Sequence, residues 1–278
     1  MRFLSKLLFL VNLLLPLMAL ASEPLIIARR GGMEDAPENT LLSIEKAVDS
    51  GADAVWLTLQ LTKDNEIVLY RPADLKTLTN LQGPVSAYTA AELHRADAGY
   101  WYGKPAYPWR GKNLSIPTLA EVLQRWPNTF FFLDIKSLNV PPQLISVLLE
   151  DILETNHSVD RVRVYATDER YLAALPDTID RFESGNATQT VLSDVITNHR
   201  CDIPSSAIEK WYDLKYPQSS LNGSQQTQIN EAIRCFKNNR LAKIILPGDN
   251  DKALYQTAQT LHADGVLVES PGLFSKKS

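Results

Sequence analysis

The sequence predicts an α/β protein closed into an eight-stranded β/α barrel of the triosephosphate-isomerase (TIM) type. Three observations carry that expectation. Short apolar runs alternate with helical patterns, eight such runs follow one another, and the 22–278 span suits a single barrel of roughly 250 residues. The first strand is read at 25–28. A helix starts near 38–40, with Leu41, Ile44, Ala47 and Val48 on one face. Further strands are read at 54–61, 67–70, 129–135, 162–166, 178–182, 243–246 and 265–268. Two stretches break the alternation. The 72–113 region, rich in Tyr, Trp, Gly and Pro, is an insertion after the third strand. The polar 185–222 region is an extra segment between strands six and seven. Both are expected at the C-terminal mouth of the barrel, where long connections build sites.

Bulk properties narrow the function. The formal net charge is −4 and no basic tract dominates, so nucleic acid is not an expected partner. Residues 1–21 read as a secretory signal peptide: Arg2 and Lys6 precede an apolar run over 7–20, and Ala19-Leu20-Ala21 is a small-x-small cleavage site. A single domain over 22–278 follows, exported to a periplasmic or secreted location, with no transmembrane segment after cleavage. Cys201 and Cys235 are either a disulfide, which export favours, or two buried thiols.

The motifs are more specific. Ile27-Ala28-Arg29-Arg30-Gly31-Gly32 is followed by Ala36-Pro37-Glu38-Asn39-Thr40. Gly51-Ala52-Asp53-Ala54-Val55, Thr62-Lys63-Asp64, Ile116-Pro117-Thr118-Leu119 and Ala263-Asp264-Gly265-Val266 come after in order. Together they resemble the glycerophosphodiester phosphodiesterase family, whose opening signature is A-H-R-G followed by P-E-N-T. The resemblance implies a phospholipase-C-like barrel that hydrolyses glycerophosphodiesters in lipid metabolism. It also implies two catalytic histidines and a Ca²⁺ or Mg²⁺ ion held by carboxylates.

This sequence departs from that pattern where the chemistry lies. Arg29 and Arg71 stand at the two histidine positions, and Trp56 and Thr58 at a carboxylate pair. Asp134 is the only matching metal position with an oxygen ligand of the expected kind, and Glu269 replaces an aspartate near the end. Arginine stays protonated and cannot act as acid and base in histidine's place. No cofactor is therefore expected, and Ca²⁺ or Mg²⁺ only if the chain is active.

Three readings of function follow. A catalytically degenerate relative would hold a phosphate ester or phosphodiester through Arg29, Arg30, Arg71 and Lys136, with Glu38 in the same pocket. Against it stands a closed barrel in which Arg29 and Arg71 only pair with Glu38 and Asp134. The second reading is an active phosphoric diester hydrolase, with His94 in the insertion the one histidine near the mouth. The third is a module binding protein or glycan through Tyr100, Trp101, Tyr102, Tyr107 and Trp109.

Overall fold

The computed structural model describes residues 23–137, 139–203, 207–215, 223–250 and 252–274. The expected signal peptide, 1–21, lies outside the described residues. The strands are β1 (Leu25–Arg29), β2 (Ala54–Leu61), β3 (Ile67–Leu69), β4 (Phe130–Ile135), β5 (Val162–Ala166), β6 (Lys210–Asp213), β7 (Ala242–Asp249) and β8 (Gly265–Val268). The helices are α1 (Leu41–Asp49), α2 (Ala90–Leu93), α3 (Leu119–Arg125), α4 (Pro142–Thr155), α5 (Glu169–Ala173), α6 (Gly185–Asn198), α7 (Gly223–Asn238) and α8 (Lys252–Thr260).

Seven strands pair in parallel in the order β5-β4-β2-β1-β8-β7-β6. The ends of that path meet through residues 180–182. Val164 of β5 bridges Arg181, and Phe182 bridges Trp211 of β6, both in parallel. This short piece is the eighth stave, and with it the barrel closes.

Two details correct the sequence reading. The run at 67–70 is not a stave: β3 pairs antiparallel with the far end of β2, Leu59 facing Leu69 and Leu61 facing Ile67. The hairpin arises because β2, eight residues long, runs past the barrel's rim and folds back on itself. Conversely, the supposed extra segment between strands six and seven contains a stave of its own, β6, between α6 and α7. Its pattern is faint because β6 has four residues and the buried positions of α6 are only Thr188, Leu192 and Val195. The spacing is helical, but threonine opens it. The segment is not all loop at the mouth, since α6 packs on α7 through Leu192, Val195, Ala232 and Cys235. A disulfide joins Cys201 to Cys235.

Helix α1 starts where Thr40 caps it: the Ser43 N–H donates to Thr40 Oγ1 at 3.2 Å, and Thr40 N–H to Ser43 Oγ at 3.2 Å. The turn before it needs glycine at 31. Its φ is +83°, and a Cβ there would lie 2.4 Å from Ser43 Oγ.

Strand alternation then sorts the barrel. Ile27, Ala54, Trp56, Phe132, Tyr165, Phe182, Trp211, Ile245 and Leu267 fill the interior. Leu57, Leu133 and Val164 face outward, into the core shared with the helices. The insertion has its own small core of Tyr70, Leu75, Val85, Leu93 and Ile116.

Candidate functional site at the barrel mouth

Moving two residues along a strand keeps the side chain on the same face. The next layer above the aromatic interior is therefore Arg29 above Ile27, Thr58 above Trp56, Asp134 above Phe132, Asp213 above Trp211 and Glu269 above Leu267. Trp56 itself lies one layer down. It is enclosed by Phe132, Tyr165 and Phe182, with ring centroids at 5.9, 5.2 and 5.6 Å, and it plugs the barrel below the site. Arg71 reaches the same level by another route. The β2–β3 hairpin brings the chain back, and the Tyr70 N–H donates to the Thr58 carbonyl at 2.9 Å.

The ring is held by ion pairs, with partners other than those read from the sequence. Arg29 meets Glu269 at 3.2 Å and Arg30 meets Glu38 at 2.7 Å. Lys136 meets Asp134 at 3.1 Å and donates to Thr167 Oγ1 at 3.2 Å. The expected pairing of Arg29 and Arg71 with Glu38 and Asp134 is not what forms. β1 lies beside β8, which brings Arg29 to Glu269, and Arg30 points away from the barrel axis toward the loop that carries Glu38. Arg71 is exposed and makes no ion pair among the described residues. It faces Lys136 across a cleft of 460 Å³, lined also by Gln60, Ser86, Ser137 and Asn139.

Three contributors went unread in the sequence: Tyr165, Asp213 and Lys215. Lys215 Nζ lies 3.1 Å from Asp213 and donates to the Tyr165 hydroxyl at 2.8 Å. A signal for them exists. Phe132-Leu133-Asp134-Ile135-Lys136 and Trp211-Tyr212-Asp213-Leu214-Lys215 share one pattern: an inward aromatic, then Asp, then Lys, at alternate positions. Both ammonium groups stand over the Tyr165 ring, at 5.6 Å for Lys136 and 4.5 Å for Lys215.

Burial sets the electrostatics. It pushes the carboxyls of Asp134 and Asp213 up, against the pull of Lys136 and Lys215. It presses the Arg30 guanidinium down; Glu38 opposes this, and the charges of Arg71 and Arg29 add to it. Enclosed side-chain atoms without a well-directed hydrogen bond gather here, although Asp134 Oδ1 and Asp213 Oδ2 each lie 3.1 Å from a lysine ammonium. Glu38 Oε1, Asn39 Nδ2, Thr58 Oγ1, Asp134 Oδ1, Ser137 Oγ and both Asp213 oxygens are all near the mouth, and only single atoms of Arg110 and Thr188 lie elsewhere among the described residues. Native proteins seldom leave such atoms unmet by protein, water or ligand.

The residues do not fit the divalent ion that the resemblance implies. Such an ion takes six or more oxygen ligands. At the matching positions Trp56 is a core ring, Thr58 a hydroxyl, and Asp134 is in contact with Lys136. No group of three His, Cys, Asp or Glu side chains is placed to hold a metal among the described residues.

The remaining candidates fall outside the ring. His94 is exposed, 3.9 Å from Glu121. Arg110 is stacked on Tyr100 and Tyr107, at 4.1 and 3.9 Å, and Tyr100 meets the edge of Trp101 at 4.8 Å. Lys46 stands 5.8 Å over Trp109. The Tyr102 hydroxyl donates to the Glu34 carbonyl. These rings pack within the insertion and against the barrel loops.

Comparison with known proteins places this arrangement. The profile of the glycerophosphoryl diester phosphodiesterase family matches residues 30–180. The uncharacterised protein Rv2277c of Mycobacterium tuberculosis is 32% identical over 267 residues, covering 90% of this chain and 88% of its own length. The crystal structure of its glycerophosphoryl diester phosphodiesterase domain superposes with a TM-score of 0.79 at 29% identity, over 92% of this chain and 99% of that one. The glycerophosphodiester phosphodiesterase of Bacillus subtilis is 36% identical over 143 residues, 48% of each chain. A phosphodiesterase of Oleispira antarctica, solved with its product sn-glycerol 3-phosphate, shares the fold at 19% identity and a TM-score of 0.63, over 90% of this chain and 94% of that one.

Proposed function

This chain belongs to the glycerophosphoryl diester phosphodiesterase family, and we propose that within it the protein binds a phosphate ester or phosphodiester at the barrel mouth without hydrolysing it. One observation carries the reading. Arg71 stands exposed across a 460 Å³ cleft from Lys136, with no ion pair of its own among the described residues. A guanidinium grips phosphate oxygens through two parallel hydrogen bonds, and an ammonium adds a second fixed charge. Arg29 and Arg30 serve differently from the sequence reading. They are in contact with Glu269 and Glu38, so they shape the rim around the anion. Unmet polar atoms such as Ser137 Oγ supply further partners.

The absence of hydrolysis rests on proton chemistry. In-line attack on phosphorus needs a group that takes a proton and one that gives it. The two positions where the family carries histidines hold arginines, a side chain unsuited to proton transfer. We place the protein outside the cytoplasm, on the strength of its N-terminal apolar run and a disulfide suited to an oxidising compartment.

The test uses the purified chain with sn-glycerol 3-phosphate and glycerophosphocholine. At about a hundred times its dissociation constant, a ligand adds roughly 2.7 kcal/mol to stability. Both should raise the melting temperature, and Arg71→Ala should abolish most of the rise. No shift with either compound would sink the binding reading. Family membership favours a second reading, an active hydrolase. Release of glycerol phosphate from glycerophosphocholine with Ca²⁺, Mg²⁺, Mn²⁺ or Zn²⁺, lost in Asp134→Ala, would establish it instead.

A further inference from the structure

We propose that the Lys215 ammonium is a resident cation: it fills, beside the enclosed carboxyl groups of Asp213 and Asp134, the seat that an added metal ion would otherwise have to fill. The inference is independent of whether the Arg71 cleft holds phosphate.

The geometry points inward. Asp213 has a side chain only 1% exposed, and neither oxygen has a well-directed hydrogen bond. A carboxylate in such a place stays charged only with a cation in contact. Lys215 provides it at 3.1 Å, although half of its side chain is exposed. Its ammonium end is the part in contact with the barrel. That end is fixed by the Tyr165 hydroxyl at 2.8 Å and by the Tyr165 ring beneath it, centroid at 4.5 Å. Burial alone would weaken its charge, but Asp213, Tyr165 and Asp134 outweigh burial and hold the lysine protonated.

Each of the three strand-end carboxylates already has a cation of the chain in contact. Lys136 covers Asp134, Lys215 covers Asp213 and Arg29 covers Glu269, three cations against three carboxylates. Asp134 feels both lysines, and Asp213 feels Lys215, Arg29 and Lys136. A divalent ion entering this ring would have to displace an ammonium that the chain itself supplies at high effective concentration. The misfit between the site and the expected metal thus has a cause beyond the loss of ligands at 56 and 58. The β6 strand brings its own positive charge.

The experiment is thermal unfolding of three chains with and without millimolar Ca²⁺, at matched ionic strength. The wild type should ignore Ca²⁺. Lys215→Met should melt at least ~5 °C lower, because it strands Asp213, and Ca²⁺ should return part of that loss, since two enclosed carboxyls and a phenol are now one cation short. Asp213→Asn combined with Lys215→Met removes the seat as well as its occupant, and should melt near the wild type with no response to Ca²⁺. The inference is overturned if Lys215→Met is as stable as the wild type, or if it is destabilised and ignores Ca²⁺. It is overturned equally if Ca²⁺ stabilises the wild type or the double variant as much as Lys215→Met. Should Lys215→Met not fold at all, the double variant decides. Recovery of folding supports the seat, and continued failure to fold rejects it. Arg71→Ala, run alongside with glycerol phosphate, reports on the anion cleft alone.

Discussion

At the end of β4 the chain reads Phe132-x-Asp134-x-Lys136, and at the end of β6 it reads Trp211-x-Asp213-x-Lys215. Both strands put the aromatic inside the barrel, the aspartate above it and the lysine over the Tyr165 ring, and in both the ion pair spans 3.1 Å. Their surroundings differ. Lys136 also reaches Thr167 and borders the open cleft with Arg71. Lys215 is fixed by the Tyr165 hydroxyl, and its aspartate is almost fully enclosed. The same three residue types therefore make a binding edge on one strand and a counter-ion to an enclosed carboxyl on the other. What the motif does depends on whether its lysine ends in a cleft or against a phenol.

That contrast can be broken or sharpened at each of its three positions. The largest effect is expected at the aromatics. Phe132→Ala should lose about 3–5 kcal/mol in denaturant unfolding, since Phe132 is fully buried against Trp56, Phe182 and Trp211. Trp211→Ala should fall toward the lower end of that range, because Trp211 retains 8% exposure. A larger loss at Trp211 would mean that β6, and not β4, carries the interior packing.

The aspartates come next. Asp213→Ala should lose roughly 2–3 kcal/mol, because it empties an enclosed site and leaves the Lys215 ammonium with only the Tyr165 hydroxyl. Asp134→Ala should lose about 1 kcal/mol, because Lys136 keeps Thr167 and can turn to the cleft. Equal losses in urea titrations would erase the proposed difference between the two ends.

The lysines invert the order when binding is measured. Lys136→Met should weaken sn-glycerol 3-phosphate about tenfold, or ~1.4 kcal/mol by titration calorimetry. Lys215→Met, where folded, should change it by less than about threefold, having no place on the cleft. A stronger effect at Lys215 would move the anion from the cleft into the ring. The smallest change is expected at His94, exposed and away from both strands. His94→Ala should stay within about 0.5 kcal/mol and leave binding untouched.

The two strand ends also differ in how readable they were. The barrel was legible because apolar runs fell at β1, β2, β4, β5, β7 and β8, and family-like motifs agreed with them at β1, β2 and β8. Lys136 and Asp134 were legible through the same resemblance. Asp213 and Lys215 were not. β6 is only four residues long, and α6 before it buries a threonine where the helical pattern needs an apolar residue. The run at 67–70 misled for the opposite reason: Ile67, Val68 and Leu69 look like a stave, but they form a hairpin arm, with Val68 under the insertion and Ile67 and Leu69 in the core shared with the helices. Which cation meets which carboxylate was beyond the sequence. It depends on β1 lying beside β8, a neighbour relation set by closure of the sheet.

The two-bridge stave at 181 and 182 has a consequence for how the molecule breathes. Elsewhere neighbouring strands are joined by longer ladders, but between β5 and β6 the wall hangs on a few hydrogen bonds, from Val164 to Asp180, Phe182 to Val164 and Glu183 to Trp211. Local opening concentrates where backbone pairing is sparse, so amide hydrogens along this seam should exchange with solvent ahead of those between β1 and β8. Yet the covalent loop from Cys201 to Cys235 begins before β6 and ends in the helix after it. It includes the strand that borders the seam. The barrel can part there like a split ring while the disulfide limits how far β6 travels, and reducing that bond should turn a brief gap into a route for proteases.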